Sequence, residues 1–93
     1  MGWTLSFEMT IAPGDFQRLL PDAMGGGREE DGAFVHREPG RSWKVRAASL
    51  PPLTLGAIAL ERIKVDMAFQ GYPEAEREAC LERFRNHTRR GGG

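Results

Sequence analysis

The sequence predicts an α+β two-layer sandwich, in which an antiparallel four-stranded sheet carries two helices on one face. Four stretches of the chain alternate apolar and polar residues, as half-buried strands do. Two further stretches space their apolar residues as amphipathic helices do. The predicted order is strand, helix, strand, strand, strand, helix. This order is ferredoxin-like in outline, although no strand follows the last helix.

The totals bound the size and class of the protein. Ninety-three residues suffice for one small core, so we predict a single domain over residues 1–90 and a flexible glycine tail over residues 91–93. Thirteen basic residues balance thirteen acidic ones, which argues against a net field that attracts nucleic acid or a membrane. The single cysteine cannot form an internal disulfide, as is typical of a cytoplasmic protein. The uncharged stretch of residues 49–60 is too short to span a bilayer.

The first predicted strand leads directly into the first predicted helix. Residues 3–11 alternate without interruption and place their large apolar side chains on one face. A helix is predicted from Pro13, because proline suits a first helical position. Pro21 lacks an N–H donor, so we expect the helix to end or kink there after about two turns. The glycines and charges of residues 25–32 predict a mobile loop.

A β-hairpin is predicted around Pro39 and Gly40, which suit a tight turn between two alternating runs. The predicted cross-strand pairs are Glu38 with Arg41, His36 with Trp43 and Phe34 with Val45. The opposite face of the hairpin then carries Val35, Arg37, Ser42, Lys44 and Arg46.

Another strand is predicted over residues 61–71, followed by the second helix. Its inward residues are Ile63, Val65, Met67 and Phe69. Ile58 and Leu60 have the opposite parity, so a bulge or bend near Glu61 and Arg62 is needed if both halves contribute to one core. The helix starts after Gly71 and runs to about His87 or Arg89, with Cys80, Leu81, Phe84, His87 and Thr88 on its core face.

The chain finishes on two arginines and three glycines. This ending resembles that of ubiquitin in having arginine before the glycines, but the match covers only about five residues. Gly91 follows the arginines of a helical last turn, which is the usual position of a glycine that closes a helix. We therefore interpret it as a helix stop rather than a reactive tail.

The titratable residues show no catalytic, metal or cofactor constellation, so we predict a non-enzymatic protein without a cofactor. Cys80 lies on the predicted buried face, where a reduced thiol is inert. The acids of residues 29–31 are consecutive, which does not match the ligand spacing of a calcium loop. An enzymatic interpretation would depend on His36 and a pocket beside it.

Two interaction surfaces are candidates. The first is the uncharged segment 50–60, in which adjacent prolines oppose central sheet pairing. Its apolar residues Leu53, Leu55 and Ile58 either complete a small core or form a surface for a protein partner or a homodimer. The second is the outer sheet face, where cations could bind nucleic acid or another anion: Arg37, Lys44, Arg46 and Lys64. Because all strand aromatics have inward parity, the groups that stack on bases are missing, and the protein-interaction hypothesis leads.

Overall fold

A computed structural model describes the backbone of residues 2–92 and the side chains of residues 2–88. Its elements are β1 (Gly2–Met9), α1 (Pro13–Met24), β2 (Arg28–Glu30), β3 (Ala33–Glu38), β4 (Arg41–Leu55), β5 (Ile58–Gln70) and α2 (Glu74–Gly92). The α+β class is confirmed. The sheet is antiparallel throughout, but it has five strands and not the predicted four.

The strand order across the sheet is β1-β5-β4-β3-β2. Strands β2 to β5 form a meander, and β1 adds to the free side of β5. Because β1 and β2 lie at opposite edges, α1 connects the two edges of the sheet. The ferredoxin-like outline is not confirmed, since an extra strand follows the first helix and no strand follows α2 within the described residues.

The core lies between the sheet and the two helices. Inward side chains of β4 and β5 pack against the buried faces of both helices: Trp43, Val45, Ile63, Val65, Met67 and Phe69 from the strands, and Phe16, Leu20, Ala23, Met24, Leu81 and Phe84 from the helices. The strand aromatics have the predicted inward parity. For example, the ring of Trp3 packs edge-on against Phe69 at 5.9 Å, and that of Phe7 against Phe84 at 5.8 Å.

Helix α1 continues through Pro21 to Met24, so of the predicted end or kink at the proline, the end is wrong. Two observations explain the continuation. Ala23 and Met24 are buried in the core, and Gly25 closes the helix in the left-handed conformation (φ 76°). The N–H of Gly26 donates to the carbonyl of Pro21 at 2.8 Å, as in a Schellman motif. Burial and closure together outweigh the proline penalty of about 3 kcal/mol.

The segment predicted to be a mobile loop contains the short strand β2. Arg28 lies opposite Val35 and Glu30 opposite Ala33, and Glu30 forms an ion pair with Arg37 on β3. A Cβ atom on Gly27 would lie 2.6 Å from a ring atom of Phe34, so only glycine lets the aromatic ring approach this closely. Glycine at position 27 therefore permits close packing against Phe34, which the loop prediction did not include.

The β3–β4 hairpin has the predicted register. Glu38 lies opposite Arg41, His36 opposite Trp43 and Phe34 opposite Val45. The end of β5 packs against the hairpin turn, since a Cβ atom on Gly71 would lie 2.0 Å from the carbonyl oxygen of Gly40.

Strands β4 and β5 extend well beyond their neighbours. The β3 pairing ends at Val45 and the β1 pairing at Ile63, but β4 and β5 stay paired as far as Leu55 and Ile58. We call residues 50–62 the arm. The arm makes the molecule elongated, at 49 × 26 × 20 Å, with a radius of gyration of 13.9 Å against about 12 Å for a compact chain of this length.

The bulge or bend that one shared core would need near Glu61 and Arg62 is absent, so Ile58 and Leu60 keep the parity opposite to that of Ile63. β5 is continuous past Glu61 and Arg62, whereas β4 shifts register between Leu50 and Leu53. Pro51 and Pro52 occupy this shift, where β4 has no further neighbour besides β5. The prolines are therefore tolerated and do not end the strand.

The backbone of α2 is helical to Gly92, past the predicted end near His87 or Arg89 and past the predicted stop at Gly91. Arg89 and the residues after it lie outside the described side chains. The predicted tail, residues 91–93, includes Gly93, which lies outside the described residues altogether.

Candidate functional site

The arm exposes large aliphatic side chains. Leu53 is 42% exposed, Leu55 58% and Ile58 61%, so these three residues do not complete the core. Leu53 lies opposite Leu60, and Leu55 lies opposite Ile58. Residues opposite each other in an antiparallel pair share a face, and successive pairs on that face are two residues apart. All four side chains therefore lie on one face of the arm.

The proline bulge determines which face this is. From Leu50 to Leu53, β4 advances three residues, while β5 advances only two, from Arg62 to Leu60. The extra residue reverses the alternation of β4, so that Leu53 points to the same side as Leu50. Without it, Leu53 and Leu55 would point to the opposite side. We call the resulting surface the aliphatic face, which consists of Leu50, Leu53, Leu55, Ile58 and Leu60.

The aliphatic face lies on the side of the sheet away from the helices. Ile63 is fully buried towards the helices, so its neighbour Arg62 points outward, and Leu60 and Ile58 follow at alternate positions. The reverse face of the arm carries the small pair Thr54 and Ala59. The arm is thus amphipathic, with its apolar side turned away from the helices.

One guanidinium group anchors the base of the arm. Arg62 donates to a carboxylate oxygen of Glu8 on β1 at 2.5 Å and to the carbonyl oxygen of Pro51 at 3.5 Å. It therefore connects β1 to the bulge. Between Ala47 and Leu60 the chain carries no charged side chain, so the arm beyond Glu61 and Arg62 presents neither sign of charge to a partner.

The cations predicted for an anion site share the outer sheet face but have acidic neighbours. Arg37 pairs with Glu30, and this hydrogen bond lowers the pKa of the Glu30 carboxyl. Arg46 lies opposite Asp66, and Lys64 lies opposite Glu8. Lys44 lies opposite Ala68. The outer face is thus a mosaic of both signs of charge.

The structure brings His36 and Cys80 to one cleft, which the sequence did not predict. This cleft of about 200 Å³ is lined by Met24, Gly25, His36, Trp43, Tyr72 and Cys80. His36 stacks on Trp43, with its Nε2 atom 2.8 Å from Glu38. No hydrogen bond joins His36 to Cys80 in the described part of the chain. Burial raises the pKa of the Cys80 thiol, which therefore stays protonated at neutral pH and is a poor nucleophile.

The remaining predicted chemistry is local. His87 contacts the carbonyl oxygen of Arg83, one turn earlier in α2, through its Nδ1 atom at 3.0 Å. Across the described residues, no three His, Cys, Asp or Glu side chains gather as metal ligands would. In the same part of the chain, neither helix combines the length and the apolar character needed to cross a membrane.

Comparison of the sequence with protein-family models and with curated proteins finds no match. The case for a function therefore depends on the geometry of this chain alone.

Proposed function

We propose that this protein is a non-enzymatic interaction module whose contact surface is the aliphatic face of the arm. The observation that supports this proposal most directly is the proline bulge, which gathers Leu50, Leu53 and Leu55 on the side of Ile58 and Leu60. An arm selected only for solubility would not need its apolar side chains on one face.

The energetics favour an arm that is completed by a partner. A two-stranded ribbon with no support on either face is marginally stable in water. Fully burying a Leu or Ile side chain contributes about 1.5–3 kcal/mol, so burying the exposed half of each contributes about 1 kcal/mol. Three such side chains provide about 3 kcal/mol, which is below the roughly 8 kcal/mol of a micromolar complex. The arm therefore needs additional contacts or a second arm on the same assembly.

The chemistry of the arm selects the class of partner. A protein that grips nucleic acid with a β-ribbon needs cations on the ribbon to contact phosphates, and the arm has none before Arg62. A neutral aliphatic strip fits an apolar groove on a protein surface. Localisation in the cytoplasm remains part of this proposal.

The proposal can be tested with two variants of the same arm. Leu53→Asp with Leu55→Asp places charge on the aliphatic face, whereas Thr54→Asp with Ala59→Asp places the same charge on the reverse face. We expect pull-downs with the intact chain to recover a protein partner, the first variant to lose it and the second to retain it. Circular dichroism should show that both variants are folded, since none of the four side chains is in the core. Equal recovery by both variants would contradict the proposal.

The alternative function, nucleic-acid binding, is supported by the shared outer face of Arg37, Lys44, Arg46 and Lys64. Phosphate contacts make binding fall steeply with salt, by roughly a thousandfold or more between 50 and 200 mM for six or more contacts. Titration of single-stranded RNA and duplex DNA at these two salt concentrations tests it. Absence of binding at 50 mM would exclude this alternative.

A further inference from the structure

The edges of the sheet are protected to very different degrees. At one edge, β2 has only three residues, and all of them are charged. The free edge of β4 in the arm is interrupted by Pro51 and Pro52, which lack N–H donors. At the other edge, β1 has eight residues, with no proline, no lysine and no arginine, and Glu8 is its single charge. Natural proteins normally block such edges with short strands, charges or proline, and β1 alone has none of these devices along most of its length.

An open apolar groove lies directly beneath this edge. Leu5, Phe7 and Met9 of β1 are half-buried and face Leu81 and Phe84 of α2 across a cavity of about 340 Å³. The start of β1 is better covered, because the guanidinium of Arg77 lies 4.2 Å from the ring centroid of Trp3. The open apolar surface therefore lies beside the second half of β1, where Glu8 is the single charge.

From these two observations we infer that β1 pairs antiparallel with β1 of a second copy, which forms a two-fold dimer with a continuous ten-stranded sheet. A strand that pairs with this edge must place neutral side chains on the sheet face away from the helices. On the helix side, it must place large apolar side chains over the groove. The alternating sequence of β1 itself, from Trp3 to Met9, meets both conditions. The net charge of zero leaves no overall repulsion between copies.

The register follows from the parity of the side chains. The apolar faces of both copies lie together on the helix side only if the two-fold axis passes through a residue position. An axis at Ser6 keeps every residue from Trp3 to Met9 within the pairing. Leu5 then lies opposite Phe7 of the second copy, and Thr4 lies opposite Glu8 of the second copy. No acid faces an acid. The second copy's β1 also extends over the groove that α2 leaves open.

The dimer forms without any contact between arms, but it determines how the two arms are arranged. The arm projects beyond the Met9 end of β1, because Met9 is paired with Ile63, the first residue of β5 after the arm. In an antiparallel pair, the two arms therefore project in opposite directions. Such a dimer presents two aliphatic faces, which supplies the second arm that a single weak contact requires.

Light scattering coupled to size exclusion tests the dimer with the full chain. We expect twice the monomer mass of 10.3 kDa at about 100 µM, and dissociation towards the monomer on dilution to about 1 µM. Ser6→Lys places two like charges opposite each other at the two-fold axis, on an exposed position. This variant should raise the dissociation constant by roughly tenfold or more. The control, Thr54→Lys with Ala59→Lys, should leave it unchanged.

A cross-link tests the register and separates this inference from the arm proposal. In a Cys80→Ala background, Ser6→Cys should form a disulfide-linked dimer under mild oxidation, and Thr54→Cys should not. Leu53→Asp with Leu55→Asp should abolish partner binding while leaving the dimer intact. A wild-type chain that is monomeric throughout the concentration range would overturn the inference. So would a dimer that survives Ser6→Lys or that disappears in the arm variant.

Discussion

Strands β4 and β5 run side by side through two very different environments. Along residues 42–49 and 63–70, the ribbon has the helices on one face. Strand β1 lies beside all of this part of β5, and β3 lies beside β4 as far as Val45. In the arm, the same two strands have no helix, and both edges are free of neighbours. Ile63 is fully buried, whereas Ile58, five residues away on the same strand, is 61% exposed. The base of the ribbon is stabilised by core burial, and the arm only by its own hydrogen bonds and cross-strand pairs.

Amide hydrogen exchange should show the largest difference between the two regions. At 0.05–0.15 kcal/mol per residue, global unfolding of this chain requires about 5 to 14 kcal/mol. Amides of Val65 and Met67 should exchange only through that unfolding, whereas those of Thr54 and Ala59 should exchange through local opening at far lower free energy. Exchange followed by NMR or mass spectrometry measures both. Equal protection of the two regions would show that the arm is supported by contacts that the monomer does not have.

The next largest difference should be the loss of folding stability caused by the same substitution at two positions of β5. Ile63→Ala removes a fully buried side chain and should lower the free energy of unfolding by about 2–5 kcal/mol. Ile58→Ala changes an exposed side chain and should shift it by no more than about 0.5 kcal/mol. Urea titration of both variants provides the comparison. A large loss in Ile58→Ala would contradict the assignment of this residue to an exposed face.

Two glycines with left-handed backbones offer a similar pair. Gly71 (φ 77°) has the carbonyl oxygen of Gly40 2.0 Å from its Cβ position, whereas Gly56 (φ 62°) at the tip of the arm has no atom within 4 Å. Gly71→Ala should therefore add a steric clash to the backbone strain and destabilise the protein by about 1–3 kcal/mol. Gly56→Ala should cost about 1 kcal/mol, from the left-handed conformation alone. The ranking of the two thermal midpoints checks this prediction, and the reverse order would contradict it.

The smallest effect should be a pH dependence at the hairpin turn. Hydrogen bonds from Arg41 and then His36 lower the pKa of the Glu38 carboxyl below its ordinary value of 4.5. A carboxyl with a lowered folded-state pKa stabilises the protein above about pH 4.5, and that contribution is lost as the pH falls through the folded-state pKa. Denaturant titrations between about pH 3 and 6 should show that the free energy of unfolding rises with pH. Part of this rise should be absent in Glu38→Gln. The segment between Ala47 and Leu60 has no titratable side chain and should contribute no slope.

The parts of the fold that the sequence predicted are those in which local pattern and tertiary context agree. Pro39 and Gly40 fix the turn and alternation fixes the faces, so the register from Phe34 to Val45 was predictable. Inward parity of Ile63 and Phe69 follows from the same rule. The exposure of Leu53 was left open, because an aliphatic residue on an amphipathic strand satisfies a core and a partner equally well.

The predictions that the structure corrected or refined share a physical cause. Pro21, Pro51 and the glycines of residues 25–27 all oppose regular structure locally, and in each case a nonlocal contact decides. Burial and the closing glycine sustain α1 beyond Pro21. The absence of a neighbour beside β4 makes Pro51 harmless. Pairing with β3 orders the residues after Gly27. The joint cleft of His36 and Cys80 likewise depends on how α2 packs across the hairpin, which no short-range pattern encodes.

The position of β1 next to β5 also determines when the fold can be completed. Met9 cannot pair until Ile63 has been synthesised, 54 residues later. At ordinary rates of synthesis, this takes about 3 to 11 s. Strands β4 and β5 are joined by a tight turn and can zip together within microseconds of emerging. Of the five strands of this sheet, β1 is therefore synthesised first and docks last. We expect changes in β1 to accelerate unfolding more than they slow folding, as for contacts of long sequence separation that form after the rate-limiting step.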